Sequence, residues 1–283
     1  MKLSCLPVSL YREIMSGEIS IGEWAQMGSE FGLDAIDISI LFLMDRNVST
    51  AKSIRRQVES AGMQIAMLTT YSEFTNPDPE RRKIEQRLAE QTIELSSEMG
   101  AQMIRITAGQ NYPGIDRSLG IGWILDGVHF LARKADKMGV TLVFENHAKP
   151  RVWEYPDFSQ SPEIFLEIVA GTLDINLGIN FDTANATVYS NNPLDLLDKI
   201  IDRVLSLHAS DTSKCEKLEH TLIGTGLTPF EKIFDRLIKE EWDGWICIEE
   251  GSLNGKSGIE AAVKYIKNGW ETAIHSYSRL SNS

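Results

Sequence analysis

Thr141-Leu-Val-Phe-Glu145, Leu177-Gly-Ile-Asn-Phe-Asp182, Val204-Leu-Ser-Leu-His208 and Trp245-Ile-Cys-Ile-Glu249 decide the fold of this chain. Each is a short apolar run with the texture of a buried strand. Each ends on a side chain that can hold a metal ion or a proton. The four end residues are separated by 37, 26 and 41 positions, room each time for one helix and two loops. Strands joined by such crossovers run parallel, so all four ends reach the same edge of a sheet.

The same rhythm continues toward the N-terminus. Strand-like segments cover Leu3 to Leu10, Ala35 to Ile40, Gln64 to Thr69 and Gln102 to Thr107. Between them lie amphipathic stretches, such as Ile21, Trp24, Met27 and Phe31 at helical spacing. Helix signals recur: Gly32, Gly100 and Gly139 close helices, and Ser161-Pro, Asn192-Pro and Thr228-Pro open them with a cap and a first-turn proline. A last helix is expected over about Gly258 to Trp270, followed by a polar, frayed tail from Ser276 to Ser283. Eight strands alternating with eight helices is the count of a (β/α)8 TIM barrel, here as a single domain over residues 1–283. An open doubly wound sheet is the competing architecture. It is disfavoured because no Gly-rich nucleotide fingerprint follows a strand, and Ile223-Gly-Thr-Gly226 lacks both the third glycine and the preceding strand.

Composition narrows the partners. The formal net charge of −12 opposes binding to a phosphate backbone, and Arg81-Arg82-Lys83 is interrupted by flanking Glu80 and Glu85. No nucleic-acid partner is expected. No window reaches the ~18 apolar residues of a membrane span, and the N-terminus lacks a signal-peptide pattern, so no membrane partner is expected and the protein reads as cytoplasmic. The 3 cysteines are odd in number and widely spaced, which fits reduced thiols, with Cys247 a core residue.

Three carboxylates and one imidazole, Glu145, Asp182, His208 and Glu249, delivered one per strand to one rim, predict a divalent-metal site. An isolated Asp182 would read equally well as a helix cap, and an isolated His208 as a hydrogen-bonded polar residue. The coincidence of four favours ligation. An oxygen-rich set suits Mn²⁺, Mg²⁺ or Co²⁺, with Zn²⁺ also compatible. Such an ion would polarise the carbonyl of a hydroxy-carbonyl compound and stabilise an enediolate, with Glu145 and Glu249 as the proton-transfer pair.

Phe144-Glu-Asn-His147, Asn180-Phe-Asp-Thr-Ala-Asn185, Leu207-His-Ala-Ser-Asp211, Ile223-Gly-Thr-Gly226 and Asp243-Gly-Trp-Ile-Cys-Ile-Glu249 together resemble the xylose isomerase-like barrel superfamily. The likeness is to its sugar phosphate isomerase/epimerase group, which includes ketose 3-epimerases, hydroxypyruvate isomerases and inosose dehydratases. The resemblance implies one divalent metal on the four residues named, with Glu145 and Glu249 doubling as acid and base. It also allows a homo-oligomer. Two departures, together with the acidic charge, argue against the trinuclear endonuclease IV branch: Asn185 stands where that branch has His, and Leu218 stands where it has the Asp of an Asp-x-His. Ser210 stands where many relatives have Lys.

Further candidates surround the quartet. His147 shares a strand face with Glu145 if the strand continues, and is expected to touch substrate. Asn185, His220, Arg105 and Tyr71 are the other expected substrate contacts. Arg105 interrupts a strand and needs a carboxylate partner or ligand. Asp211 is expected to orient a metal ligand, and Lys149, Trp153 and Tyr155 lie in a loop placed to act as a lid. The function expected is a metal-dependent sugar isomerase or epimerase. The alternatives are an inosose dehydratase-like lyase and a barrel that binds sugar or metal without turnover.

Overall fold

A computed structural model describes residues 1–190 and 192–281. Eight strands, β1 (Lys2–Leu6), β2 (Ile36–Ser39), β3 (Ile65–Thr69), β4 (Met103–Ile106), β5 (Thr141–Glu145), β6 (Gly178–Asp182), β7 (Val204–Ala209) and β8 (Trp245–Glu249), form one parallel sheet. The helices among the described residues are α1 (Tyr11–Ser16), α2 (Ile21–Glu30), α3 (Val48–Ser60), α4 (Pro79–Met99), α5 (Arg117–Met138), α6 (Pro162–Ala170), α7 (Thr183–Tyr189), α8 (Pro193–Ile200), α9 (Phe230–Lys239) and α10 (Gly255–Ser281).

The strand order β1-β8-β7-β6-β5-β4-β3-β2 leaves only β1 and β2 without a continuous ladder. That seam is drawn together by Ala35 N and Asp34 N donating to the Leu3 carbonyl, and by Ser4 Oγ donating to Asp37 Oδ2 at 2.9 Å. The result is a nearly closed (β/α)8 barrel, as the alternation of patterns predicts.

Local chemistry explains the boundaries. Ser20 and Glu23 form a reciprocal capping box at the start of α2. Asp78 caps α4 ahead of Pro79, and Asp116 caps α5. Gly100 and Gly139 end α4 and α5 at φ values of 75° and 67°, left-handed backbone that glycine enters without a Cβ clash. The large apolar core lies between the strands and the surrounding helices. A second, smaller cluster, including Met67, Met103, Val143, Trp245 and Cys247, fills the barrel interior. Packed side chains rather than a pore therefore support the polar rim.

Four expectations about the elements need correction. The helices number more than eight among the described residues, because short α1 and α7 precede the longer helices of their units. Strand β1 stops at Leu6, and the segment to Leu10 turns helical. α10 runs on to Ser281, past the expected end at Trp270 and into the polar tail, while Ile266, Trp270 and Ala273 bury one face of its earlier turns. The remaining residues, 282–283, lie outside the described residues. At α9, Pro229 occupies the cap position rather than the first helical turn. No described helix is long and apolar enough to cross a membrane.

Candidate metal centre

Glu145, Asp182 and Glu249 are the last residues of β5, β6 and β8, and His208 is the penultimate residue of β7. Register aligns Asp182 with His208 and Glu145 with Asn180. All four side chains therefore converge at the C-terminal end of the barrel, with one donor atom of each within 4.8 Å of the others. His208 Nδ1 lies 3.3 Å from Glu145 Oε2 and 3.0 Å from Glu249 Oε2.

The four donors are held rather than merely near. Asp182 caps α7: its Oδ1 accepts from Asn185 N at 2.7 Å and from Ser210 Oγ at 3.0 Å. The cap reading of Asp182 is thus correct, and it leaves Oδ2 for another partner. Asn146 clamps the same residue through its backbone, accepting from Asp182 N at 2.8 Å and donating to Asp182 O at 2.9 Å. Asn180 Nδ2 donates to Glu145 Oε2 at 3.0 Å, while Ser206 Oγ donates to Asn180 Oδ1 at 2.7 Å. Arg105 Nε sits 3.1 Å from Glu145 Oε2, with both side chains buried. This supplies the carboxylate that a charge inside β4 requires. The sequence does not single out Asn146, Asn180 and Ser206, and it marks Ser210 only as a departure from the resembled pattern, without a role.

Electrostatics divides the quartet. Burial alone would raise the Glu145 pKa, but Arg105 and His208 outweigh it and hold that carboxyl below the usual range. Glu249 is likewise burdened by burial, yet its contacts with His208 bring it down to about 2. Burial opposes charge on His208, but Glu145 and Glu249 outweigh it and push the imidazole up to about 10. Asp182 moves the other way: burial, then the charges of Glu249 and Glu145, push it well above the carboxylate range.

These residues fit a divalent cation. His208 Nδ1 lies within 3.3 Å of two carboxylate oxygens but forms no hydrogen bond with them, and its buried Nε2 has no partner at all. A buried ring nitrogen left without a partner is costly. An ion amid the three carboxylates and the imidazole would neutralise the cluster without a proton on Nδ1. Glu145, Asp182, His208 and Glu249 would be its ligands.

The other sequence-selected residues are distributed around this centre. The Arg105 guanidinium lies 5.2 Å from the Tyr71 ring centre, and Tyr71 meets His147 edge-on at 6.2 Å. His147 does not sit on a continued strand, since β5 ends at Glu145; its Nδ1 pairs with Asp157 Oδ2 at 3.3 Å. Asn185 reaches the quartet through its backbone N–H, and its side-chain Oδ1 is buried without a partner. His220 packs near Gly251, with Nδ1 buried and unpartnered. The loop after β5 is tied down: Gln110 Oε1 accepts from Glu154 N and Tyr155 N, and Trp153 packs against His147 and Tyr71. Asp211 does not orient a metal ligand. Its carboxylate accepts from the backbone N–H groups of Thr212, Gly224, Gly226 and Thr228. The Gly-Thr-Gly turn therefore wraps an anion of the protein itself, which explains its glycines without a nucleotide.

A parallel barrel with a carboxylate–histidine cluster at the C-terminal rim defines a class of barrel proteins with a candidate metal centre. A profile of the xylose isomerase-like TIM barrel family matches residues 26–269, and the chain belongs to that family. Among its relatives is the inosose dehydratase of Bacillus licheniformis, 25% identical over 44% of this chain and 45% of that enzyme. The match thus spans less than half of the Bacillus protein's length. The putative hydroxypyruvate isomerase of Streptomyces coelicolor is 23% identical over 71% of this chain and 74% of its own. Among solved structures, an L-ribulose 3-epimerase superposes with a TM-score of 0.81 at 16% identity, covering 99% of this chain and 98% of that one. That likeness bears on the fold.

Proposed function

We propose that the chain is a divalent-metal-dependent isomerase or epimerase of a small sugar or polyol, with Glu145 and Glu249 as its proton-transfer pair. The observation that carries this reading is the convergence of two carboxylates, buried Glu145 and half-buried Glu249, on His208 Nδ1, at 3.3 Å and 3.0 Å.

A divalent ion on Glu145, Asp182, His208 and Glu249 supplies a Lewis acid for a substrate carbonyl oxygen. The protein's own groups do the rest. One glutamate takes the proton from the carbon beside the carbonyl. The other, entering the step in its protonated form, delivers its proton to that carbon from the opposite face, which inverts it; delivery to the former carbonyl carbon, with the hydroxyl proton passing between the two oxygens, gives isomerisation. Arg105 and Asn180 hold Glu145 charged and oriented, so its carboxylate need not reorganise as the proton moves. Tyr71, His147 and Trp153 form an aromatic flank beside Arg105 that suits the apolar face of a sugar ring and limits water.

The likeness to an inosose dehydratase supports a second reading, in which the same deprotonation expels a β-hydroxyl. Incubation of the metal-loaded protein with a sugar panel in deuterated water separates the two. Isomerase or epimerase chemistry exchanges a carbon-bound proton for deuterium without loss of water. Dehydration produces a new enone absorbance. Exchange that persists in Glu145→Gln and Glu249→Gln would refute the acid–base assignment.

A further inference from the structure

Asp37 is a fully buried carboxyl in the middle of β2 that none of the chemistry above uses. The sequence around it, Ile36-Asp-Ile38, points both isoleucines into the outer core and Asp37 into the barrel. Its Oδ2 accepts from Ser4 Oγ at 2.9 Å, and its Oδ1 is buried without a partner. Ser4 is the register partner of Cys247, and Cys247 is the register partner of His208. A lateral row thus runs around the barrel wall from His208 on β7 through Cys247 and Ser4 to Asp37 on β2. At one end of the row the His208 Nε2 is buried and unpartnered; at the other the Asp37 Oδ1 is buried and unpartnered.

Nδ1 is the nitrogen that faces Glu145 and Glu249, so Nε2 is the one left to the interior. A histidine that ligates through one nitrogen is held in place by what accepts the proton of the other. Burial opposes charge on Asp37, and His208 heads the groups that favour it. No direct ion pair joins them, and a polar site of this kind suits a bridging water.

We propose that Asp37 is a positioning residue for the metal centre: its Oδ1 accepts, across one buried water, the hydrogen bond that fixes the Nε2–H tautomer and ring orientation of His208. This rests on the reading of His208 as a ligand through Nδ1. Asp37 touches neither substrate nor ion. Its effect is to hold one ring proton on Nε2, so that Nδ1 is the nitrogen that gives up its proton when an ion binds.

The test uses the full chain and Co²⁺ as the probe, with Asp37→Asn and Asp37→Leu. Calorimetric titration should show Co²⁺ binding weakened by roughly 10–100-fold in Asp37→Leu. The loss should be smaller in Asp37→Asn, which keeps an acceptor oxygen. Thermal unfolding of the metal-free proteins guards against a merely structural role. Unchanged Co²⁺ affinity in a folded Asp37→Leu would overturn the proposal. Nitrogen-15 NMR of the His208 ring supplies a readout that does not need the metal. A slowly exchanging Nε2–H in the metal-free protein that disappears in Asp37→Leu supports the link, and one that persists refutes it. If the native protein binds no Co²⁺ while that Nε2–H depends on Asp37, the metal reading fails and the positioning link stands.

Discussion

Ser210 Oγ donates to Asp182 Oδ1 at 3.0 Å and accepts from Ala184 N at 3.1 Å. This serine thus steadies a candidate metal ligand and the first turn of α7 at once. Ser210→Ala should leave a buried N–H unpaired and cost about 1–3 kcal/mol of stability. It should also weaken metal binding by roughly tenfold, within the range seen when a ligand loses an outer hydrogen bond. Urea unfolding and calorimetry read the two effects separately.

The buried pair of Arg105 and Glu145 makes a harsher prediction. Arg105→Met keeps much of the volume but strands Glu145 without its cation. Removal of one partner of a buried pair costs about 3–5 kcal/mol, so the variant should show a large fall in urea midpoint. Added Mn²⁺ should recover part of that loss, since the ion supplies the missing positive charge. A variant as stable as the native protein would show that Arg105 does not support Glu145.

Asp211 predicts a local effect. Asp211→Ala removes the acceptor for four backbone N–H groups of the loop that follows β7. Amide exchange should accelerate at Gly224, Gly226 and Thr228, with a stability loss of at least about 2 kcal/mol. Acceleration confined to other loops would contradict the anchoring role.

Stability of the metal-free protein should depend on pH in a definite direction. His208 is raised from 6.5 to about 10, so the stability it contributes is complete below pH 6.5 and is lost as pH rises through 10. The raised Asp182 carboxyl acts in the same direction, losing its contribution as pH climbs. Glu249, lowered from 4.5 to about 2, contributes above 4.5 and loses that contribution as pH falls toward 2. Metal-free thermal midpoints should therefore peak in mildly acidic solution and fall toward alkaline pH. A divalent ion must displace the His208 proton, so metal affinity should instead increase with pH. Parallel melts with and without Mn²⁺ read both slopes.

The strands and the quartet were legible in the sequence because each candidate ligand ends an apolar run, a pattern of local order. What could not be read depends on register and long-range contact. Asn180 matters because β6 places it beside Glu145, and Asn146 because it bonds the backbone of a residue 36 positions away. Asp37 was hidden for the same reason: inside β2 its neighbours in sequence are apolar, and its partner Ser4 comes from β1. The packing of α10 is likewise a long-range matter: Ile266, Trp270 and Ala273 are buried along it, with Trp270 edge-on to Phe234 of α9. Asp211 lies close to His208 in sequence, which suggested a role at the metal, but its carboxylate is fully engaged by the following loop.

The central claim is that Glu145, Asp182, His208 and Glu249 form one divalent-metal site. Its most direct test is calorimetric titration of chelator-treated protein with Mn²⁺, beside His208→Ala and Asp182→Asn. The account predicts one ion per chain in the native protein and at least a hundredfold loss of affinity in each variant. An unaltered affinity in both variants, or no bound ion in the native protein, would contradict it.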